Sequence, residues 1–314
     1  MIARAPQVRH PASPHLGDNV IAIASGKGGV GKTWFSITLS QALAQAGGNV
    51  LLFDGDLGLA NVDIQLGLTG KRDLGDVIAG KTSLRGAVSK YPEGRFDIIA
   101  GRSGSGSLAS LPAKQIGDLR HQLFQLSSKY DSTLIDMGAG VDQPVQTLLA
   151  GARTCLVLAT PDPTSLTDAY AFIKVTRAAQ PDMDIQIVVN SATTRQEGLQ
   201  TFETLRKACE TFLEFNPPLA GVIRNDSRVT ESIRHQSPLL TRHPNSDAAS
   251  DVKAIAETVL VTAKDLPSDG FGSAEFFGCL GPMANLADFI EHRLLSSIVQ
   301  SHRLLALPVE SDFV

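Results

Sequence analysis

Residues 26–33 read Gly26-Lys27-Gly28-Gly29-Val30-Gly31-Lys32-Thr33, which fits the G-x-x-x-x-G-K-[ST] pattern and adds a lysine after the first glycine. The glycines let backbone N–H groups curl round a polyphosphate. A lysine in the place of Lys32 reaches the β and γ oxygens, and the Thr33 hydroxyl can ligate Mg²⁺. The plain alternative is a glycine-rich turn with no ligand. Lys27 sits on the outer edge of the loop, where Lys32 hinders it from folding back onto the same nucleotide. It either reaches a nucleotide held by a second molecule or is a solvated surface lysine.

Further segments supply what phosphate chemistry needs. Asp54-Gly-Asp-Leu-Gly-Leu-Ala-Asn-Val-Asp63 brings three carboxylates close to the expected phosphate position. Hydrolysis requires a water in line with the γ-phosphorus; Asp56 could hold that water as proton acceptor, with Asp54 nearer the outer shell of the metal. Leu134-Ile-Asp-Met-Gly-Ala-Gly140 ends an apolar run in an acid followed by glycines. Asp136 could therefore hold Mg²⁺ through water, and the backbone from Gly138 to Gly140 could sense the γ-phosphate. Asn190 offers an amide that can pair with the donor–acceptor edge of adenine, though a strand-terminal Asn also serves as a cap or turn residue.

These groups must be carried by alternating strands and helices. Apolar, β-branched runs at Val20 to Ala24, Val50 to Phe53, Phe96 to Ala100, Ser132 to Ile135, Thr154 to Ala159, Ile185 to Asn190 and Leu219 to Ile223 read as strands. Helical spacing falls at Trp34 to Gln45, Ala113 to Lys129, Ser165 to Ala179, Gln196 to Phe212 and Ala249 to Lys264. The order implies an α/β fold: a doubly wound, mostly parallel sheet flanked by helices, with a helical tail after it. Ligands in such sheets lie beyond the strands' C-terminal ends, so the glycine loop, Asp56, Asp136 and Asn190 should converge on one crevice, with phosphate on a helix N-terminus.

The chain has 314 residues, 43% of them hydrophobic, enough for one large domain with extensions. A net charge of −4, from 28 basic and 32 acidic residues, leaves any nucleic-acid or anionic-membrane binding to local patches. Cys155, Cys209 and Cys279 are scattered and lack C-x-x-C spacing, which fits a reducing cytoplasm and no zinc site. No apolar run approaches the ~20 residues needed to span a bilayer. Residues 1–18 read as a flexible arm without an apolar signal core, 19–266 as the nucleotide domain and 267–314 as a linker with an amphipathic tail.

The Gly-Lys-Gly-Gly-Val-Gly-Lys-Thr form resembles the deviant Walker A loop of MinD/ParA-class ATPases. That resemblance implies an ATP- and Mg²⁺-dependent ATPase with a P-loop fold that forms a homodimer when ATP-bound, with Lys27 reaching across it. It also implies Asp56 as the water-positioning aspartate, Asp142 and Gln143 where a polar residue faces the partner's ribose, and Gly221-Val-Ile-Arg-Asn-Asp226, including Arg224 and Asn225, as a second base-contacting stretch. Met137 stands where relatives have Thr, and Arg224 where they have Pro. Asp54 to Leu68, Pro161-Asp-Pro-Thr-Ser-Leu-Thr-Asp-Ala-Tyr-Ala171, Arg195-Gln-Glu-Gly198 and Glu275-Phe-Phe277 narrow the likeness to the FlhG/FleN regulators of flagellar number. Partners implied are a FleQ-type activator or an FlhF-like GTPase, in the cytoplasm or on the inner face of the membrane at the pole. In the Pro161 run, Thr164 or Ser165 could simply cap a helix.

Residues 285–305 place Leu286, Ile290, Leu294, Ile298 and Leu305 near one helical face, which could lie on a membrane or pack on its own domain. Arg224, Arg228, Arg234, Arg242, His235 and His243 make residues 224–243 locally basic despite Asp226 and Glu231, either as a solvated face or as a nonspecific DNA contact of the ParA type. A ParA-like positioning ATPase is therefore the alternative function. A metabolic ATP-using enzyme is disfavoured, because no acceptor-substrate motif is visible.

Overall fold

Every residue of β1 (Val20–Ser25) is buried, because the strand lies inside the sheet with helices over both faces. Its side chains alternate: Ile21 and Ile23 join one apolar layer, Val20, Ala22 and Ala24 the other. The computed structural model describes residues 16–68, 72–101 and 111–265. The arm is described only from residue 16, and Glu275 to Phe277 and the amphipathic tail lie outside the described residues.

The chain continues through α1 (Lys32–Gln45), β2 (Val50–Gly55), α2 (Val62–Leu66), α3 (Leu74–Ile78), β3 (Ser89–Tyr91) and β4 (Phe96–Ile99). Then come α4 (Ala113–Ser127), β5 (Ser132–Ala139), α5 (Gln143–Leu149), β6 (Thr154–Ala159), α6 (Pro163–Ala179), β7 (Asp184–Ala192) and α7 (Arg195–Leu213). It closes with β8 (Leu219–Arg224), α8 (Ser227–Arg234), α9 (Leu239–Arg242) and α10 (Asp247–Asp265). The eight strands lie in the order β3-β4-β2-β5-β1-β6-β7-β8. All pair in parallel except β3, which runs antiparallel to β4 at the edge. Helices α1 and α10 cover one face, α4 to α7 the other.

The α/β expectation holds, and the long helices fall within two residues of the ends read from sequence. Strand β3 has no sequence signal: it is three residues long and only Tyr91 is buried. Helix α1 is buried almost all round although it carries Ser36, Thr38 and Ser40. The Thr38 and Ser40 hydroxyls donate back to carbonyls one turn earlier, both at 2.7 Å, and the Ser36 hydroxyl lies 2.9 Å from the Lys32 carbonyl, so these three hydroxyls enter the core with partners.

Helix α7 approaches β8 at Gly198, where an added Cβ would overlap the Val222 side chain. Gly198→Ala gains helix propensity, but we expect overpacking to dominate, with a net loss of about 1–2 kcal/mol in urea unfolding.

Candidate nucleotide and metal site

The glycine loop joins β1 to α1 and owes its path to particular glycines. Gly29 and Gly31 have φ of 81° and 94°, the left-handed region that disfavours a side chain. Gly31 is also crowded: a Cβ there would come within 2.5 Å of Asn190 Nδ2 and 2.8 Å of Trp34 Nε1. A Cβ at Gly26 would overlap the Asp168 carbonyl of α6, whereas around Gly28 and Gly29 there is open space. No side chain caps the start of α1, so its first N–H groups are available to an anion.

Lys32 is 8% exposed, and its ammonium donates to Ser25 Oγ at 2.8 Å. Burial lowers its pKa, against the opposing pull of Asp136 and Asp56. Ser25 Oγ in turn donates to the Lys27 carbonyl at 2.7 Å, tying the end of β1 to the loop. Lys27 goes the other way: its Nζ lies 3.0 Å from Asp162 Oδ1 and 2.6 Å from Thr164 Oγ1, at the start of α6, with about a third of the side chain exposed.

Under the loop lies a pair of acids. Asp54 and Asp136 are register partners on β2 and β5, two residues beyond Leu52 and Leu134, so both point to the face that α1 covers. Neither is more than 1% exposed. Burial, then Asp136, holds the Asp54 carboxyl well above its usual range, although it accepts from Val62 and Asp56 N–H. Burial pushes Asp136 up to about 6, against hydrogen bonds from Thr33 and Ser36 and the charge of Lys32. Ser36 Oγ lies 3.0 Å from Asp136 Oδ1 and 2.9 Å from Lys32 O, and its single proton serves one of them at a time. Two crowded carboxylates beside a threonine hydroxyl and one lysine fit a divalent cation. Among the described residues no three side chains of metal-ligating type cluster, so phosphate oxygens and water would complete the shell, as Mg²⁺ prefers.

Above this floor opens a cleft of ≈ 700 Å³ lined by Gly28 to Trp34, Asp56, Gly138, Asp142, Asn190, Arg224 and Asn225, together with Val229, Thr230 and Ile233 of α8. Asp56 accepts from Gly58 N (3.2 Å) and Leu59 N (2.8 Å), so the carboxylate also shapes the loop after β2. The Asn190 amide donates to the Val30 carbonyl at 2.7 Å and thereby braces the glycine loop from β7.

The model of the CobQ/CobB/MinD/ParA nucleotide-binding domain matches residues 21–239. The chain belongs to the MinD/ParA family. It is 38% identical over 258 residues to the antiactivator FleN of Pseudomonas aeruginosa, a match covering 82% of this chain and 91% of that one. It is 29% identical to the flagellum site-determining protein YlxH of Helicobacter pylori, over 81% of this chain and 87% of the other. Among solved structures, the septum site-determining protein MinD of Pyrococcus horikoshii, complexed with Mg-ADP, superposes with a TM-score of 0.65 at 26% identity, over 77% of this chain and 95% of that one. The likeness to FlhG/FleN proteins read from the motifs is borne out, and the protein is a nucleotide-binding ATPase of the MinD/ParA class.

Within that family frame, Asp56, Lys32, Thr33, Gly138, Asp142, Asn190, Arg224 and Asn225 share one cleft, with Asp54 and Asp136 beneath it, while Gly26 and Lys27 are not part of its lining. The Arg224 guanidinium is already engaged, at 2.7 Å from Asp247 Oδ1 and 2.9 Å from Asp251 Oδ2 on α10. Met137, in the place of the family's Thr, is 1% exposed and packs beneath α5 with Leu57, Val145 and Leu148, on the face opposite Asp136.

Two expectations need correcting. The helix in the Pro161 run is capped by Asp162, not by Thr164 or Ser165. Pro163 occupies the first turn, which has no use for its missing N–H, and Asp162 accepts from Ser165 N at 2.9 Å. The basic stretch 224–243 is largely neutralised: besides Arg224, Arg242 and His243 meet Glu231, and Arg228 lies 3.7 Å from Asp226. Sequence reasoning passed over Ser25, Ser36 and the cleft-lining residues Val229, Thr230 and Ile233 of α8. Ser36 had a signal, since it stands one helical turn after Lys32 and so on the same side of α1. The cleft-lining role of Val229, Thr230 and Ile233 had none, because α8 is brought to the cleft by packing against α2 and α9.

Proposed function

We propose that this ATPase is a switch that binds Mg-ATP, pairs with a second copy of itself across the two nucleotides, and in that state regulates flagellar number or placement. The observation that carries the reading is the divergence of Lys27 and Lys32, two lysines of one glycine loop whose ammonium groups go to different partners: Lys32 to Ser25 at the end of β1, Lys27 to Asp162 and Thr164 at the start of α6. Lys32 is buried under its own phosphate site, and Lys27 stands outside that site on the rim. A cation on the rim can serve a nucleotide bound by a facing copy. Backbone N–H groups of the glycine loop and Lys32 hold the phosphates, Asp56 orients water, Asp142 faces the second copy, and Asn190 with Asn225 meets the base. Thr33 and Asp136, with Asp54 behind, would hold Mg²⁺, which neutralises charge on the β and γ oxygens. Relatives named for antiactivation and for flagellar site determination support a downstream partner of the FleQ-type activator or FlhF-like GTPase kind. The ion pairing of Arg224 with Asp247 and Asp251 and of Arg242 with Glu231 weighs against a DNA-binding role.

Lys27 is held by Asp162 and Thr164 on its own chain, so pairing requires that contact to be exchanged for a phosphate. Removing a charge-assisted contact costs enough that Lys27→Ala should weaken ATP-dependent pairing about tenfold or more, while each monomer still binds ATP. Size-exclusion chromatography with light scattering, with and without Mg-ATP, reads this out. A variant that pairs as the parent does, or a parent that pairs equally well without nucleotide, would defeat the scheme.

A further inference from the structure

Trp34 is the one tryptophan in the 314-residue sequence, and the phosphate chemistry gives it no task. It is the third residue of α1, and side chains on a first turn lean toward the helix N-terminus, so the indole reaches back over Gly31. There its Nε1 edge stands beside Asn190 Nδ2; both atoms crowd the same point above Gly31. The ring is anchored edge-on against Phe35, with centroids 6.5 Å apart and planes at 86°. It remains 9% exposed and lines the cleft together with Val229 and Ile233 of α8.

The indole N–H has no acceptor among the described residues. It is not one of the sealed, unpartnered polar atoms either, so it opens onto the cleft. The Asn190 amide nitrogen, by contrast, already gives one of its two hydrogens to the Val30 carbonyl. The wall beside Asn190 therefore combines an aromatic edge, a free N–H donor and two aliphatic side chains. A bare triphosphate has no use for such a surface. A sugar and a flat heteroaromatic ring do, since apolar walls with a few placed donors are how a nucleoside is oriented.

From this geometry we infer that Trp34 is a positioning residue for the nucleoside half of the nucleotide, contacting it with its indole edge and donating Nε1–H to a ligand oxygen. The inference rests on the proposed binding of ATP in this cleft. It also makes the indole a built-in reporter, because no other tryptophan contributes emission.

The test uses the full chain. Titration with Mg-ATP should change tryptophan emission saturably, with the midpoint found by calorimetry on the same sample. Inorganic tripolyphosphate, which lacks the nucleoside, should displace ATP yet leave the emission of the free protein unaltered. Trp34→Phe keeps a ring and loses the donor, and should weaken ATP a few-fold. Trp34→Ala removes both and should weaken ATP about tenfold or more, the scale of an aromatic contact with a base, with tripolyphosphate affinity unchanged in both variants. Calorimetric ATP binding with a silent indole would overturn the inference and leave the ATP reading standing. An equal loss of affinity for ATP and tripolyphosphate would overturn it too, because Trp34 would then only prop up the glycine loop. Absence of ATP binding in the parent protein would bring down both.

Discussion

Asp136→Asn is expected to make the ligand-free protein more stable while lowering its Mg-dependent ATP turnover about a thousandfold. The two effects have one origin. Asp136 is fully enclosed beside Asp54, and burial raises its pKa from 3.8 to about 6. The folded state thus holds this proton more tightly than the unfolded chain does. Between those two values the native protein binds more protons than the denatured one, so stability falls as pH rises through that window. Above it, the folded protein keeps an ionised carboxylate that only Lys32 and two hydroxyls offset. An amide at the same place keeps an acceptor for Thr33 and Ser36 and offers a donor toward Asp54, with no charge to bury. Stability at neutral pH should rise by ~1–3 kcal/mol. The slope of stability with pH should flatten without vanishing, since Asp54 is shifted in the same direction. Urea unfolding at about pH 5 and about pH 8 measures both, and phosphate release measures turnover. If the variant were less stable at neutral pH, the strain assigned to the carboxylate pair would be wrong.

That trade explains why the acids were legible in the sequence and their energetics were not. A strand ending in Asp and then Gly is visible as a pattern, and so is the D-x-D pair. Their side-by-side placement depends on the β2–β5 register, in which Asp54 meets Asp136, and no local signal carries that pairing. The glycine loop was readable for a similar reason in reverse: its glycines are demanded by backbone conformation at Gly29 and Gly31, a local requirement that one segment can express. Gly26 looked like part of the same rule, yet its reason is tertiary, the close approach of the Asp168 carbonyl on α6. Asn190 was found at the expected strand end, but its amide braces Val30, and only the folded arrangement shows that role. Glu231 and Asp226 were visible inside the basic stretch, but its neutralisation by Asp247 and Asp251 was hidden. In particular, the acids facing Arg224 lie 23 and 27 residues downstream, on α10.

Asp56→Ala is expected to leave ATP binding within a few-fold of the parent while slowing hydrolysis by about two to four orders of magnitude, the range for a lost proton acceptor. In the proposed scheme hydrolysis releases the paired state, so the ATP-bound pair should then persist. The alanine has a second effect that must be separated from the first. Asp56 Oδ1 accepts from Gly58 N and Leu59 N, so its loss also loosens the loop that carries exposed Leu59. Asp56→Asn resolves the ambiguity, since the amide oxygen can still accept those two N–H groups but cannot take a proton from water. If Asp56 acts on water, Asn and Ala should be equally slow in phosphate release, and both should elute as long-lived pairs with Mg-ATP. If its contribution is only to shape the loop, Asn should recover most of the parent rate. Either variant hydrolysing ATP at the parent rate would remove Asp56 from the chemistry and leave the attacking water to be oriented by backbone groups near Gly138, where an added Cβ would lie 3.7 Å from the Asp56 carboxyl.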